Sequence, residues 1–210
     1  MFGLASTLKR PRTAIRAKRG SSGIVGAVVA ISTLLLAPDG PSAADEARLW
    51  GALKSSQAFA LVRHAIAPGT GDPSIFTLGD CRTQRNLSDA GRAQAARIGV
   101  RFRENGIEWA RVLSSQWCRC LETAKLLGLG PVAELPALNS FYQRAERREL
   151  QTEALKLWLA GQAMDQPIVL VTHQVNITAL TGVYPASGEL VVVELAPGSD
   201  IAVLGSIRSD

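Results

Sequence analysis

Only two histidines occur in the 210 residues, His64 and His173, and only three cysteines, Cys81, Cys118 and Cys120. The first scarcity excludes a metal centre built from several imidazoles, and two histidines with one cysteine make a poor zinc set. The second limits cross-linking to one intrachain bridge. Six positions after the cysteines stand Leu87, Ala124 and Leu126, never arginine. The loop that activates a cysteine for attack on phosphorus is therefore missing. So is a Gly-x-x-x-x-Gly-Lys phosphate cradle. After residue 45 there is no internal repeat and no low-complexity linker. With 47% hydrophobic and 20% charged residues, the composition is that of a globular chain able to bury a core, not of a disordered one.

The net charge of +5 is unevenly placed. Residues 1–44 hold six Lys or Arg against Asp39 alone, and the remainder carries 17 cations and 17 anions. The folded part thus offers no electrostatic case for nucleic-acid binding. The basic stretch ends at Arg19, an apolar run of 14 residues spans Ile24 to Ala37, and Ser42-Ala43-Ala44 precedes Asp45. That order predicts a signal peptide over residues 1–44, cleaved after Ala44, and hence a periplasmic or secreted domain over 45–210. The apolar run is short for a membrane span, which takes ~20 residues. Gly20 to Pro38 carries no charge, so an uncleaved N-terminal anchor is the alternative, and only then is a membrane a partner. Export suits one disulfide involving Cys81. Cys118 and Cys120 point different ways on a helix, and the pattern does not choose between them. Three unlinked thiols are the competing reading.

Short apolar runs alternate with helical periodicity, which predicts a three-layer α/β/α domain around a mostly parallel sheet. Expected strands are Ala58–Arg63, Arg111–Ser114, Val132–Leu135, Ile168–Thr172 and Leu190–Leu195, with Ile201–Ile207 at an edge. The run Ile168-Val169-Leu170-Val171 lacks polar alternation and predicts burial on both faces. Ser88 is the expected N-cap of a helix ending near Asn105, before Gly106. Further helices are expected over Trp117–Leu127, over Arg144–Ala160 with Leu150, Leu155, Leu157 and Trp158 near the core, and briefly after Val175. Ala67–Arg85, with Pro68-Gly69, Gly71-Asp72-Pro73 and Gly79-Asp80, reads as a functional loop.

Both histidines end predicted strands, in Leu61-Val62-Arg63-His64 and Leu170-Val171-Thr172-His173. Ligands of open α/β sheets bind beyond the carboxyl ends of strands, so the two can meet. The strand ending at Ser114-Ser115 leads through Gln116-Trp117-Cys118 to Arg119, which can reach the same crevice. Two guanidiniums and two imidazoles suit a dianion, because arginine matches phosphate oxygens with paired donors. One imidazole can attack phosphorus, and the other can stabilise the charge that develops.

These residues also resemble a family. Arg63-His64-Ala65, then Arg85-Asn86-Leu87-Ser88 with Gly91 and Gln94-Ala95, then Ser114-Ser115-Gln116-Trp117-Cys118-Arg119 with Glu122-Thr123-Ala124, and finally Val171-Thr172-His173 are similar, in order, to the motifs of the histidine phosphatase superfamily. That superfamily includes the cofactor-dependent phosphoglycerate mutases. The resemblance covers about residues 58–182. It implies a phosphomonoesterase of the histidine acid phosphatase type that works through a phosphohistidine on His64. Arg63, Arg119 and His173 would bind phosphate, the substrate would be small and phosphorylated, and no cofactor or metal would be needed. Ala65 stands where the defining motif has glycine, a change found in smaller phosphatases. Leu138-Asn139-Ser140 stands where mutases have Leu-Asn-Glu, so mutase activity is not expected. The donor to the leaving alcohol is then Asp72, Asp80 or Glu146, or no donor is needed. The alternatives are a phosphatase for phosphohistidine on proteins and a non-catalytic phosphate- or sugar-phosphate-binding protein. Arg82, Arg85, Arg147 and Arg148 read as solvated or ion-paired, with Arg82 and Arg85 near the pocket entrance. Gln174 and Asn176 either orient a ligand or cap the short helix.

Overall fold

A computed structural model describes residues 42–196 and 200–209. The expected signal segment lies outside the described residues except for its last three. The last two of those open a helix not expected from the sequence, α1 over Ala43–Lys54. Ser42 caps it by accepting the N–H of Asp45, Asp45 and Glu46 complement the dipole of its first turn, and Leu49, Trp50 and Leu53 turn inward. The helix α1 thus runs across the expected boundary at 45.

The sheet has six strands: β1 (Phe59–Arg63), β2 (Arg111–Ser114), β3 (Val132–Glu134), β4 (Ile168–Thr172), β5 (Leu190–Leu195) and β6 (Ile201–Ile207). Their order is β3-β2-β4-β1-β5-β6. The first four neighbours are parallel, while β5 and β6 are antiparallel additions, β6 at the edge. Remaining helices are α2 (Asp89–Glu104), α3 (Cys118–Leu127), α4 (Arg148–Ala160) and α5 (Gln174–Thr181).

Side-chain alternation along the central strands splits the core in two. Ala60, Val62, Val112, Val169, Val171 and Val192 face a cluster with Leu49, Phe102 and Leu127 from α1, α2 and α3. Phe59, Leu61, Leu113, Leu170, Val191 and Val193 face one with Leu155, Leu159 and Ile177 from α4 and α5. Helices therefore cover both faces, and β4 is buried along its whole length.

Departures from expectation are local. β3 stops at Glu134, because Pro136 opens a 3-10 turn over Pro136–Leu138. The helix expected from Arg144 begins at Arg148, after a 3-10 turn over Ala145–Arg147. Leu150 and Leu157, expected near the core, are 78% and 74% exposed. The inward stripe of α4 is Leu155 and Leu159, one turn apart, and Leu157 lies on the opposite side of the helix. Trp158 is partly buried, with the Arg111 guanidinium over its ring. Within the loop a 3-10 turn forms at Cys81–Thr83, and Cys81 is bridged to Cys118 across a Cα–Cα distance of 5.6 Å. Cys120 is free and buried.

Two glycines let α2 approach closely. A Cβ at Gly91 would stand 2.1 Å from the Ile66 carbonyl oxygen, and one at Gly99 would stand 2.0 Å from that of Leu127. The first contact sets the start of α2 against the turn that follows His64.

Candidate active site

The register of the parallel strands creates the site. Arg63 pairs with Thr172, and Ser114 with Val171. The next residue of each strand keeps the ladder one step further. His64 N–H donates to the Thr172 carbonyl and Ser115 N–H to that of Val171, both at 2.9 Å. His64, Ser115 and His173 therefore leave the sheet side by side, at its carboxyl edge. The two imidazoles, far apart in sequence, lie with ring centroids 5.5 Å apart.

Hydrogen bonds fix each ring. His64 Nδ1 lies 2.8 Å from the Ala65 carbonyl oxygen. A carbonyl only accepts, so Nδ1 carries the proton and Nε2 keeps its lone pair. The turn behind it is clamped. Ala65 N–H donates to Thr123 Oγ1, Ile66 N–H donates to Gln94 Oε1, and the Gln94 amide donates to the Ser187 carbonyl. His173 Nδ1 accepts from Arg119 at 3.3 Å, so its proton sits on Nε2 and is donated to Ser115 Oγ at 2.8 Å. In this state His173 holds Arg119, and its one N–H is taken by Ser115.

The rings stay neutral at ordinary pH. Burial, then the charges of Arg119, Arg85 and Arg63, bring His64 down to about 3, against the opposing bond to Ala65. Burial and then Arg119 likewise hold His173 well below the usual imidazole value. The Cys120 thiol, 3.5 Å from His173 Nε2, is pushed up to about 12 by burial. It packs as an inert thiol.

Three guanidiniums surround the rings in a cavity of about 660 Å³, within the range of small-molecule sites. Arg63 donates to the Pro185 carbonyl at 2.8 Å. Arg85, read from the sequence as solvated or ion-paired, is half-buried and fastened to the loop by donating to the Gly71 and Ala67 carbonyls. Arg119 is 2% exposed in the first turn of α3. The Nε atoms of Arg63 and Arg119 are buried without a partner among the described residues, which marks donor capacity left for an anion.

Of the candidate proton donors, only Asp72 reaches this cavity. Its carboxylate takes both terminal nitrogens of Arg119, at 2.8 and 3.1 Å, together with Trp117 Nε1 at 3.0 Å and the Arg85 N–H at 3.1 Å. Burial pushes its pKa up, but hydrogen bonds and charge from Arg119, with the Arg85 and Trp117 donors, outweigh this and leave it lowered. Asp80 pairs with the exposed Arg82 on the loop surface, and Glu146 is exposed; neither carboxylate lines the cavity, and nor does Arg82. Arg144 and Arg147 form part of the mouth; Arg148 does not. Gln174 lines the cavity and donates to Thr178, whereas Asn176 is buried and donates to the Asn139 carbonyl. Ser115, Thr123 and Gln94 stand within the motifs without a role that the sequence alone assigns. Their signal was polar residues at positions that the helical and strand patterns bury.

The model of the histidine phosphatase superfamily (branch 1) matches residues 59–149, from β1 into α4, which include Arg63, His64 and Arg119. The serine/threonine-protein phosphatase Pgam5, mitochondrial, of Drosophila virilis is 35% identical over 74 residues, covering 35% of this chain and 23% of that protein. The matched stretch is thus under a quarter of the relative's length. Among solved structures, the protein histidine phosphatase SixA complexed with tungstate has a TM-score of 0.51 at 16% identity, covering 72% of this chain and 97% of that one. Bacillus stearothermophilus YhfR has a TM-score of 0.52 at 17% identity, covering 70% and 95%. At such identities the structures show a shared phosphoglycerate mutase-like fold. The family match thus spans 91 of the 210 residues, and the solved structures agree with it in fold.

Proposed function

We propose that the chain is a phosphomonoester hydrolase that works through a covalent phosphohistidine on His64. The observation that carries this reading is the Nδ1–H bond from His64 to Ala65. It leaves a neutral Nε2 lone pair in a cavity ringed by Arg63, Arg85 and Arg119. Nε2 attacks phosphorus, the P–N bond forms, and the bond to the leaving oxygen breaks. Water then attacks phosphorus, the P–N bond breaks, and inorganic phosphate leaves. Arg63 and Arg119 hold the equatorial oxygens, their unpartnered Nε atoms adding donors. His173 holds Arg119, and once a dianion raises its proton affinity it donates to the phosphoryl group. The substrate is a small phosphorylated compound.

Export is part of the reading. The basic-apolar-small order of residues 1–44 supports it, and the Cys81–Cys118 bridge suits an oxidising compartment. In the test, His64→Ala abolishes release of an aryl alcohol from its phosphate, and acid-labile label incorporated by the native chain maps to His64. Full activity in that variant refutes the assignment.

A further inference from the structure

We propose that Asp72 is the proton donor to the leaving group, freed from Arg119 by the phosphoryl group that it later helps to cleave. The proposal rests on the phosphohydrolase reading above. Its basis is a conflict over one side chain. Asp72 is the one carboxylate among the described residues that line the cavity, and it occupies both terminal nitrogens of Arg119. The side chains of this pair are 3% and 5% exposed, so water competes little for them. A phosphoryl group needs the same fork of donors. Its entry therefore turns Arg119 from the carboxylate to the phosphate oxygens.

Asp72 is not set adrift when that happens. Trp117 Nε1 still holds Oδ2, the Arg85 N–H still holds Oδ1, and Gln143 donates to the Asp72 carbonyl at 3.0 Å. Its surroundings change sign, however. The carboxylate exchanges the direct grip of a cation for a neighbouring dianion, and the other charged side chains on the cavity wall are Arg63, Arg85, Arg144 and Arg147. Loss of an opposite charge and gain of a like one both favour the protonated acid. A carboxylate ionised in the empty site thereby acquires a proton from solvent when substrate is bound, which is when a proton is useful.

The balance is then complete. His64 Nε2 bonds to phosphorus, the electron pair of the breaking P–O bond passes to the leaving oxygen, and Asp72 transfers its proton there. In the second half, the resulting carboxylate takes a proton from the attacking water as the P–N bond breaks. The arrangement explains how a chain with Ser140 at the position where the mutases have glutamate can still expel an alcohol. A phosphoramidate, whose nitrogen brings its own proton, has no need of it. Tyr142 and Tyr184, the other hydroxyl acids on the cavity wall, are 54% and 74% exposed, and no hydrogen bond among the described residues fixes their hydroxyls.

The test compares the native chain with Asp72→Asn on phosphate monoesters of graded leaving group, from 2,4-dinitrophenol through phenol to an alkyl alcohol. General acid catalysis contributes 10²–10⁴-fold. The loss in kcat should therefore grow along the series, reaching at least about 10²-fold for the alkyl ester and staying small for the dinitrophenyl ester. Asp72→Glu should restore part of the alkyl activity. An equal loss across the series, or a general gain because phosphate no longer competes with a carboxylate, overturns the proposal. The dinitrophenyl ester serves as an internal check on folding. If the native chain shows no burst of dinitrophenol and no label on His64, the hydrolase reading itself fails. A burst with parallel series for both proteins removes only Asp72.

Discussion

Cys81 and Cys118 are joined, and this one bond ties the loop that carries Asp72 to the residue just before Arg119. The Gln84 side chain reinforces the seam by accepting the Cys118 N–H and donating to the Thr77 carbonyl. The loop is thus anchored to the helix that bears its ion-pair partner.

Opening that bond should cost stability. With a sequence separation of 37 between the cysteines, the chain-entropy relation gives about 4 kcal/mol. Cys81→Ser, or a dithiol reductant on the native chain, should lower the urea midpoint accordingly and raise KM for an aryl phosphate. A midpoint that moves by less than about 1 kcal/mol equivalent would show that the loop is held without it.

Acid should weaken the fold earlier than carboxylates alone predict. His64 is at about 3 when folded and His173 also lies well below its ordinary value, whereas both titrate near 6.5 when unfolded. The unfolded chain therefore binds more protons, and stability falls as pH drops below about 6.5, by about 1.4 kcal/mol per pH unit for each ring. Denaturation midpoints between pH 6.5 and 4.5 measure that slope. His64→Gln should flatten it, and an unchanged slope rejects the assignment.

Arg119→Lys keeps the charge and loses the fork. A single ammonium cannot serve two phosphate oxygens in the same plane, so kcat/KM should fall about 10²–10³-fold. A loss under tenfold would mean that charge alone suffices.

Gly99 is a packing prediction. Its Cβ would meet the backbone of Leu127 rather than a flexible side chain, so Gly99→Ala should cost about 1–3 kcal/mol. Gly51 in α1 has nothing within 4 Å of its Cβ, and Gly51→Ala there should stabilise slightly. Guanidinium unfolding of the two variants checks both signs.

Much of this molecule is written locally. All six strands lie within one residue of the expected ends, because short, largely apolar runs bounded by turn or helix signals admit few other readings. His64 and His173 were legible as a pair because each ends such a run. The Cys81 bridge was foreseen without its partner, since two residues of helix separate the candidates and only the fold decides. α1 escaped because Ser42-Ala43-Ala44 satisfies a processing pattern and a helix cap with the same small residues. The Asp72–Arg119 pair was illegible for another reason. It joins an irregular loop to a helix start across 47 positions, and no periodicity spans such a gap. The burial of Arg85 is illegible locally too, because it depends on carbonyls of that same loop.

The pairing of β1 with β4 has a consequence for how the molecule comes alive. These neighbours are more than a hundred residues apart along the chain, so a nascent polypeptide possesses neither imidazole environment until nearly all of it has been assembled. Closure over such separations is slow compared with helix formation. Recovery of turnover after dilution from denaturant should therefore lag behind recovery of helical signal, making catalysis a late reporter of the finished central sheet.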